Sequence, residues 1–165
     1  MKIRSILSIT VISVISFLLI TGCDPSKKWE KQERQEIDDY LRAAGDTVYI
    51  QKPSGLYYHD ITVGTGATPV VGDTVGIRYK GTFLSYGVFG TNYSDTTDLP
   101  FVVGSGFILL GLDEGVRYMK VGGIAKMLLP SSLGYGSYGY YTIPGYTPLL
   151  FTVELKSVKP GPSRK

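Results

Sequence analysis

The chain has 165 residues, with 17 Lys and Arg against 14 Asp and Glu, and it contains one Cys and one His. A single Cys excludes an internal disulfide and a CxxC metal site, and a single His excludes a His-rich zinc site. A net charge of only +3 gives no electrostatic footprint for nucleic acid. We therefore expect one domain with its own hydrophobic core and no metal, cofactor or nucleic-acid partner.

The N-terminus predicts a secretory leader. Lys2 and Arg4 precede an apolar run at 6–20, and the small residues 21–22 lead to Cys23. A membrane-spanning helix is the alternative interpretation, but the run is shorter than the roughly 20 apolar residues that a spanning helix needs.

The tetrad Ile-Thr-Gly-Cys at 20–23 resembles a bacterial lipobox, whose Cys is diacylated and becomes the N-terminus after cleavage. The resemblance implies a signal peptide at 1–22 and lipidation of Cys23. More than one acyl chain is sufficient for stable anchoring in a membrane. Because no acidic cluster follows Cys23, we expect a lipid-anchored protein of the bacterial cell envelope, in the outer membrane and facing the periplasm.

The next segment, 23–46, is predicted to be the lipidated Cys followed by a helical spacer. The sequence from 26 to 44 has helical periodicity, and Gly45 is a suitable helix stop. Glu33 interrupts the apolar stripe of this helix. One interpretation is a spacer or docking helix that holds the domain off the membrane, and the other is a helix that packs its stripe on the domain. The stripe consists of Trp29, Ile37, Tyr40, Leu41 and Ala44.

The residues after Asp46 predict a β-rich domain at 47–159, followed by a flexible tail at 160–165. Short segments rich in Val, Ile, Thr, Tyr and Phe alternate with Gly, Pro, Asp and Ser. Only 112–120 interrupts them with a helical pattern. Antiparallel strands with one short helix and no βαβ alternation indicate an α+β domain whose helix covers one face of a sheet. The predicted strands are 47–50, 55–62, 74–83, 101–103, 123–129 and 149–158.

The segment 134–146, GYGSYGYYTIPGY, contains five Tyr, four Gly and one Pro. Two interpretations are open. It could be a surface loop packed on itself, or a flexible flap whose aromatic rings cover an apolar site.

Motifs for nucleophilic or metal-dependent hydrolysis are absent from the sequence. His59 lies in a predicted strand with no Ser or Cys motif near it, so we interpret it as an exposed or hydrogen-bonded structural residue. The remaining possibilities are simple binding and chemistry that needs no nucleophile and no proton transfer.

Several motifs occur in the order found in one known family. They are VGGIAKMLLP at 121–130, LGYG at 133–136, VGIRYKG at 75–81 and LLFTVEL at 149–155. Together they resemble the FKBP-type peptidyl-prolyl isomerases over about residues 55–159. The resemblance implies a half-open antiparallel sheet wrapped around one short helix, with no cofactor and with a substrate proline held in an aromatic pocket.

The resemblance also implies the pocket residues. Phe89, Phe101 and Phe151 would form the walls and Leu112 the floor. The N–H of Leu109 and the hydroxyl of Tyr135 would orient peptide carbonyls. The full set of matching positions is Tyr79, Phe89, Phe101, Ile108, Leu109, Leu112, Tyr135, Ile143 and Phe151.

Two positions depart from the family pattern. Gly90 stands where the family usually has Asp, with Asn92 and Asp95 as alternative sources of that polar contact. Leu112 stands where a Trp is common. We expect the pocket to persist with altered rate or ligand affinity.

The implied function is isomerisation of X-Pro bonds in exported proteins, with macrolide-type ligands as further occupants. A dry aromatic pocket favours the less polar twisted amide over the planar one, so no general base is needed. The alternative is a non-catalytic binding module or chaperone for Pro-containing segments. A place in a gliding or secretion apparatus would be a cellular role for either activity.

Overall fold

The computed structural model describes residues 25–45, 48–85 and 87–162. The predicted signal peptide and Cys23 lie outside these residues, so both assignments stay predictions. In the described part of the chain, no helix combines the length and the apolarity needed to cross a membrane.

The described chain contains two α-helices and seven strands, and the predicted antiparallel α+β architecture is confirmed. The pattern missed the strand at 88–91, because four residues that include a Gly carry little periodicity. The second helix also begins two residues before the predicted 112–120 and ends four residues earlier. The elements are α1 (Pro25–Ala44), β1 (Ile50–Gln51), β2 (Tyr57–Thr62), β3 (Thr74–Phe83), β4 (Val88–Thr91), β5 (Leu99–Val102), α2 (Leu110–Val116), β6 (Ile124–Leu129), a 3₁₀ turn (Ser131–Leu133) and β7 (Leu149–Lys159).

The sheet is antiparallel throughout, in the order β1-β2-β6-β7-β3-β4, with β5 also paired to β3. Strands β3 and β7 form its longest ladder, from the Thr74–Lys159 pair to the Phe83–Leu149 pair. The opposite edge of β3 is shared, since β5 pairs with its first half and β4 with its second half. This split edge opens a gap beside the middle of β3.

A buried asparagine fills the gap between β4 and β5. The Oδ1 atom of Asn92 accepts the N–H of Tyr79 at 2.7 Å, and its Nδ2 atom donates to the carbonyl of Ile77 at 3.0 Å. These side-chain hydrogen bonds replace the missing strand pairing, so the backbone of β3 remains satisfied where neither neighbour reaches it.

Helix α2 packs on one face of the sheet, against β6. Its buried residues include Leu112 and Val116, and Gly115 lies so close to Met127 of β6 that any side chain at 115 would collide with the Met side chain. The resulting core is apolar and continuous beneath the helix. It includes Leu56, Val75, Ile77, Val103, Met119, Ala125, Met127, Leu129, Leu149, Val153 and Leu155.

Helix α1 docks on the domain through fewer residues than its predicted stripe. Ile37 is 4% exposed, whereas Trp29 is 46% exposed and Ala44 is exposed. Glu33, which interrupts the stripe in sequence, is buried and hydrogen-bonded to Ser131. The helix therefore contacts the domain as the packing interpretation predicts, but through a polar anchor in place of Trp29.

Candidate active site

A cavity of about 340 Å³ lies between α2, the β3–β4–β5 edge and the loop before β7. Its volume is at the small end of the range for ligand pockets. All of its ionisable lining side chains are tyrosines. The lining residues are Tyr79, Phe89, Gly90, Leu99, Ile108, Leu109, Leu112, Tyr135, Tyr140, Tyr141, Thr142, Ile143 and Phe151.

The wall on the sheet side is a cluster of aromatic rings. Phe151 of β7 meets Phe89 of β4 edge to face, with ring centroids 5.5 Å apart, and meets Tyr79 of β3 at 6.1 Å. These spacings are typical of favourable aromatic pairs. Gly81 makes the packing possible, because a Cβ atom there would lie 2.5 Å from Phe89 and 3.0 Å from Phe151. The second Gly of the VGIRYKG motif is thus required for the packing of the wall.

The floor and one rim come from the start of α2. Leu112 is buried and lines the cavity. The carbonyl of Leu109 accepts the N–H groups of Leu112 and Asp113, each at 3.0 Å. Among the described residues, none accepts a hydrogen bond from the N–H of Leu109 itself. Leu109, which lines the cavity, thus has a backbone N–H with no acceptor among the described residues.

The opposite rim is formed by the Tyr-rich segment 134–146. The rings of Tyr135 and Tyr140 stack at 5.0 Å with an angle of 11°, and Tyr140 and Ile143 exchange two backbone hydrogen bonds of 2.9 Å. Tyr141, within this tight turn, has a φ of 50°. Such a conformation is costly for a bulky residue. Segment 134–146 is therefore a structured aromatic rim that combines both interpretations, since it packs on itself and also lines the cavity.

Tyr135 is one of the hydroxyl-bearing residues that line the cavity. Burial raises the pKa of Tyr135, and the neighbouring hydroxyls of Tyr79 and Tyr140 raise it further. A tyrosine titrates near pH 10 in water, so Tyr135 remains a protonated donor throughout the physiological range.

The structure places eight of the nine predicted site residues around the cavity. Phe101 is the exception, because its side chain is buried in the core and does not line the cavity. Leu99, two residues earlier on the same side of β5, lines the cavity in its place. The alternation of β5 was the only sequence signal that could have indicated Leu99.

Other lining residues absent from the predicted site set are Gly90, Tyr140, Tyr141 and Thr142. Gly90 lies in the wall, where a Cβ atom would be 3.7 Å from the Tyr79 hydroxyl. Asn92 and Asp95 do not take the place of the usual Asp. The Asn92 amide is engaged by the backbone of β3, and Asp95 is exposed outside the cavity. The wall thus lacks a carboxylate.

The single His of the chain, which we interpret as a structural residue, lies away from the cavity. His59 packs beside Tyr49, with ring centroids 5.6 Å apart, and does not line the cavity. The described part of the chain contains no group of three or more His, Cys, Asp or Glu side chains that could hold a metal ion.

Comparison with known proteins identifies the family. The model of the FKBP-type peptidyl-prolyl cis-trans isomerases matches residues 66–156, which include every residue that lines the cavity. The chain belongs to this family. The expected fold and the resemblance read from the motifs are both confirmed.

Curated relatives include FkpA, an FKBP-type peptidyl-prolyl cis-trans isomerase of Escherichia coli K12, which is 37% identical over 66% of this chain and 40% of its own length. FK506-binding protein 4 of Emericella nidulans is 33% identical over 84% of this chain and 28% of its own length. The chain thus spans less than half the length of these two relatives.

Solved structures agree with the fold. The crystal structure of FkpA from E. coli superposes with a TM-score of 0.71 at 28% identity, covering 98% of this chain and 75% of that one. A peptidyl-prolyl cis-trans isomerase from Pseudomonas syringae has the same TM-score at 26% identity, covering 84% of this chain and all of that one.

Proposed function

We propose that this protein is a peptidyl-prolyl cis-trans isomerase that assists the folding of exported proteins. One observation carries the proposal: an aromatic wall and Tyr135 at positions that match the FKBP family surround, together with Leu112 of this chain, one cavity of about 340 Å³. A prolyl ring with its preceding amide is a suitable occupant of such a small apolar space.

The chemistry follows from the amide. The planar X-Pro bond is resonance-stabilised, and rotation about it has a barrier of about 18–20 kcal/mol in water. The twisted transition state loses the charge separation of the planar form. Transfer out of water therefore costs the twisted state less free energy than it costs the planar state. Phe89, Phe151 and Leu112 supply the dry surface, while Tyr135 and the Leu109 N–H hold carbonyls on either side. No step moves a proton through the protein.

A protease-free assay on a peptide with an X-Pro bond tests the proposal. The purified protein should relax the cis–trans equilibrium faster than the uncatalysed rate. Phe89→Ala should abolish most of the acceleration because it opens the wall to water. Tyr93→Ala is the matched control, since Tyr93 is an exposed aromatic residue outside the cavity. No acceleration by folded wild-type protein would refute the isomerase proposal.

The same cavity is proposed to bind macrolide-type ligands. Their binding would compete with the peptide, so the acceleration should fall as the macrolide is added. The Gly at position 90 removes one polar group from the wall, which predicts weaker binding than in a variant with Asp there.

A second candidate function is a binding module or chaperone for unfolded Pro-containing segments. The observation that favours it is the exposure of large rings next to the cavity, with Tyr138 98% exposed and Tyr141 93% exposed. Such rings offer contact area to an extended chain beyond the proline. Suppression of aggregation of an unfolded protein that persists in Phe89→Ala would support this second function.

The proposed location is the bacterial envelope, with Cys23 carrying the lipid and α1 packed on the domain. This proposal rests on the lipobox-like sequence and the leader pattern before it. Mass spectrometry of the mature N-terminus should find an acylated Cys23. Cys23→Ala should release the protein from the membrane fraction, and an unmodified N-terminus would refute the anchor.

A further inference from the structure

The most unusual contact outside the cavity joins α1 to the domain. Among residues 26–44, only Glu33 and Ile37 are buried, and Glu33 is 9% exposed. One carboxylate oxygen of Glu33 accepts the N–H of Ser131, and the other accepts the Ser131 hydroxyl at 2.8 Å. A buried carboxylate is costly unless it is hydrogen-bonded in this way, so the pair is a specific anchor.

Ser131 is the first residue of the 3₁₀ turn that leads to the cavity. Its carbonyl accepts the N–H of Gly134 at 2.9 Å and the N–H of Gly136 at 2.8 Å. Those two glycines flank Tyr135. Glu33 therefore accepts both hydrogen bonds that Ser131 donates. The carbonyl of Ser131 in turn accepts the N–H groups of the residues on either side of Tyr135.

At the start of the 3₁₀ turn, the carbonyl of Pro130 accepts the N–H of Leu133 at 2.9 Å. Pro130 precedes it, and no side chain caps the turn from within it. The acceptor for the first N–H comes from Glu33, which is 98 positions away in the chain. Beside the pair, a groove of about 490 Å³ separates α1 from part of the Tyr-rich segment. The helix thus meets this region through a narrow polar contact.

We propose that Glu33 is a positioning residue that sets the place of the Tyr135 hydroxyl through Ser131. Docking of α1 then determines where the Tyr135 hydroxyl lies, although no residue of α1 lines the cavity. Hydrogen bonds to a charged acceptor are stronger than neutral ones, which makes a carboxylate well suited to hold a short turn. The effect on the rate rests on the proposed isomerase function, whereas the effect on the turn does not.

Two readouts on the purified full-length protein test the proposal. Hydrogen exchange at the amides of Gly134 and Gly136 reports the turn directly. The kcat and KM of isomerisation report the position of the Tyr135 hydroxyl. Displacement of this hydroxyl should lower kcat more than it raises KM.

Glu33→Ala should speed exchange at both glycines by about tenfold, the size expected for loss of a hydrogen bond. It should lower kcat by about threefold to tenfold by the same reasoning. Glu33→Gln should retain most of the exchange protection and most of the kcat, because the Gln amide oxygen still accepts the Ser131 N–H. Glu30→Ala is the matched control, being an exposed Glu one turn earlier on the same helix.

Unchanged exchange at Gly134 and Gly136 in Glu33→Ala would overturn the proposal. So would a fall in activity that follows global unfolding alone and is not rescued by Gln. If Glu33→Ala does not fold, Ser131→Ala removes only the hydroxyl contact and should give a smaller shift in the same direction; no shift in that variant would also overturn it. A wild-type protein without isomerase activity would refute the enzyme proposal, while exchange would still decide the role of Glu33.

Discussion

The two sides of the cavity are both aromatic but differ in how far their rings are buried. The sheet wall belongs to the hydrophobic core, and its central ring, Phe151, is 2% exposed within the long β3–β7 ladder. The Tyr-rich rim at 134–146 instead projects rings into solvent and includes a residue with positive φ. In the wall, the side chains with a proposed role in catalysis therefore also belong to or pack against the core, whereas in the rim the two roles can be separated.

The largest expected effect is in the wall. Phe151→Ala should lower the free energy of unfolding by about 3–5 kcal/mol, because it removes a buried ring and leaves a space its neighbours cannot close. Urea denaturation measures the loss. Phe151→Leu retains most of the volume and should cost clearly less. A loss in Phe151→Ala no larger than that of an exposed substitution would show that the wall is not part of the core.

A buried sheet tyrosine should make stability depend on alkaline pH. Burial, followed by the 2.6 Å hydrogen bond to Asp60, raises the pKa of Tyr58. The unfolded chain loses this proton near pH 10 while the folded chain keeps it, so stability is intact below pH 10 and falls above it, by up to about 1.4 kcal/mol per pH unit.

Tyr58→Phe should flatten that fall. The measurement is the free energy of unfolding from pH 7 to pH 11. Between pH 7 and pH 9 the two proteins should differ by a constant amount, which serves as the internal control. Parallel curves above pH 10 would contradict the prediction.

A smaller effect is expected where wall and rim face each other. Gly90→Asp should place a carboxylate near the Tyr79 hydroxyl, since a Cβ atom there lies 3.7 Å from it in ordinary contact. A new hydrogen bond of this kind should raise kcat/KM or macrolide affinity by about threefold to tenfold. Gly90→Ala adds the Cβ atom alone and should have little effect. No change with Asp would mean that the missing carboxylate does not limit this site.

The smallest effect is expected at the tip of the rim. Tyr138→Ala should change the free energy of unfolding by less than about 0.5 kcal/mol, because the ring has no buried surface to lose. Isomerisation of a short peptide should be unaffected, since Tyr138 does not line the cavity. Thermal unfolding and the peptide assay check both statements. A large loss of stability would show that the rim supports the core after all.

Much of the fold was predictable because it depends on local patterns. The strands at 74–83 and 149–158 agree with β3 and β7 almost to the residue, since both are long runs of strand-forming residues. The weakly patterned β4 was missed. In the site, eight of the nine residues that the family motifs indicated line the cavity, and the ninth, Phe101, lies in the core.

The sequence by itself determined the antiparallel α+β class, the aromatic character of the pocket and its family, because these follow from periodicity and from motifs held in order. Tertiary structure alone decided that Tyr140 and Tyr141 also line the cavity, that Asn92 fills the split edge of β3, and that Glu33 is buried against Ser131. These contacts join residues far apart in the chain. From sequence alone, a polar residue in a helix is expected to face solvent, because the surface that buries it is not yet known.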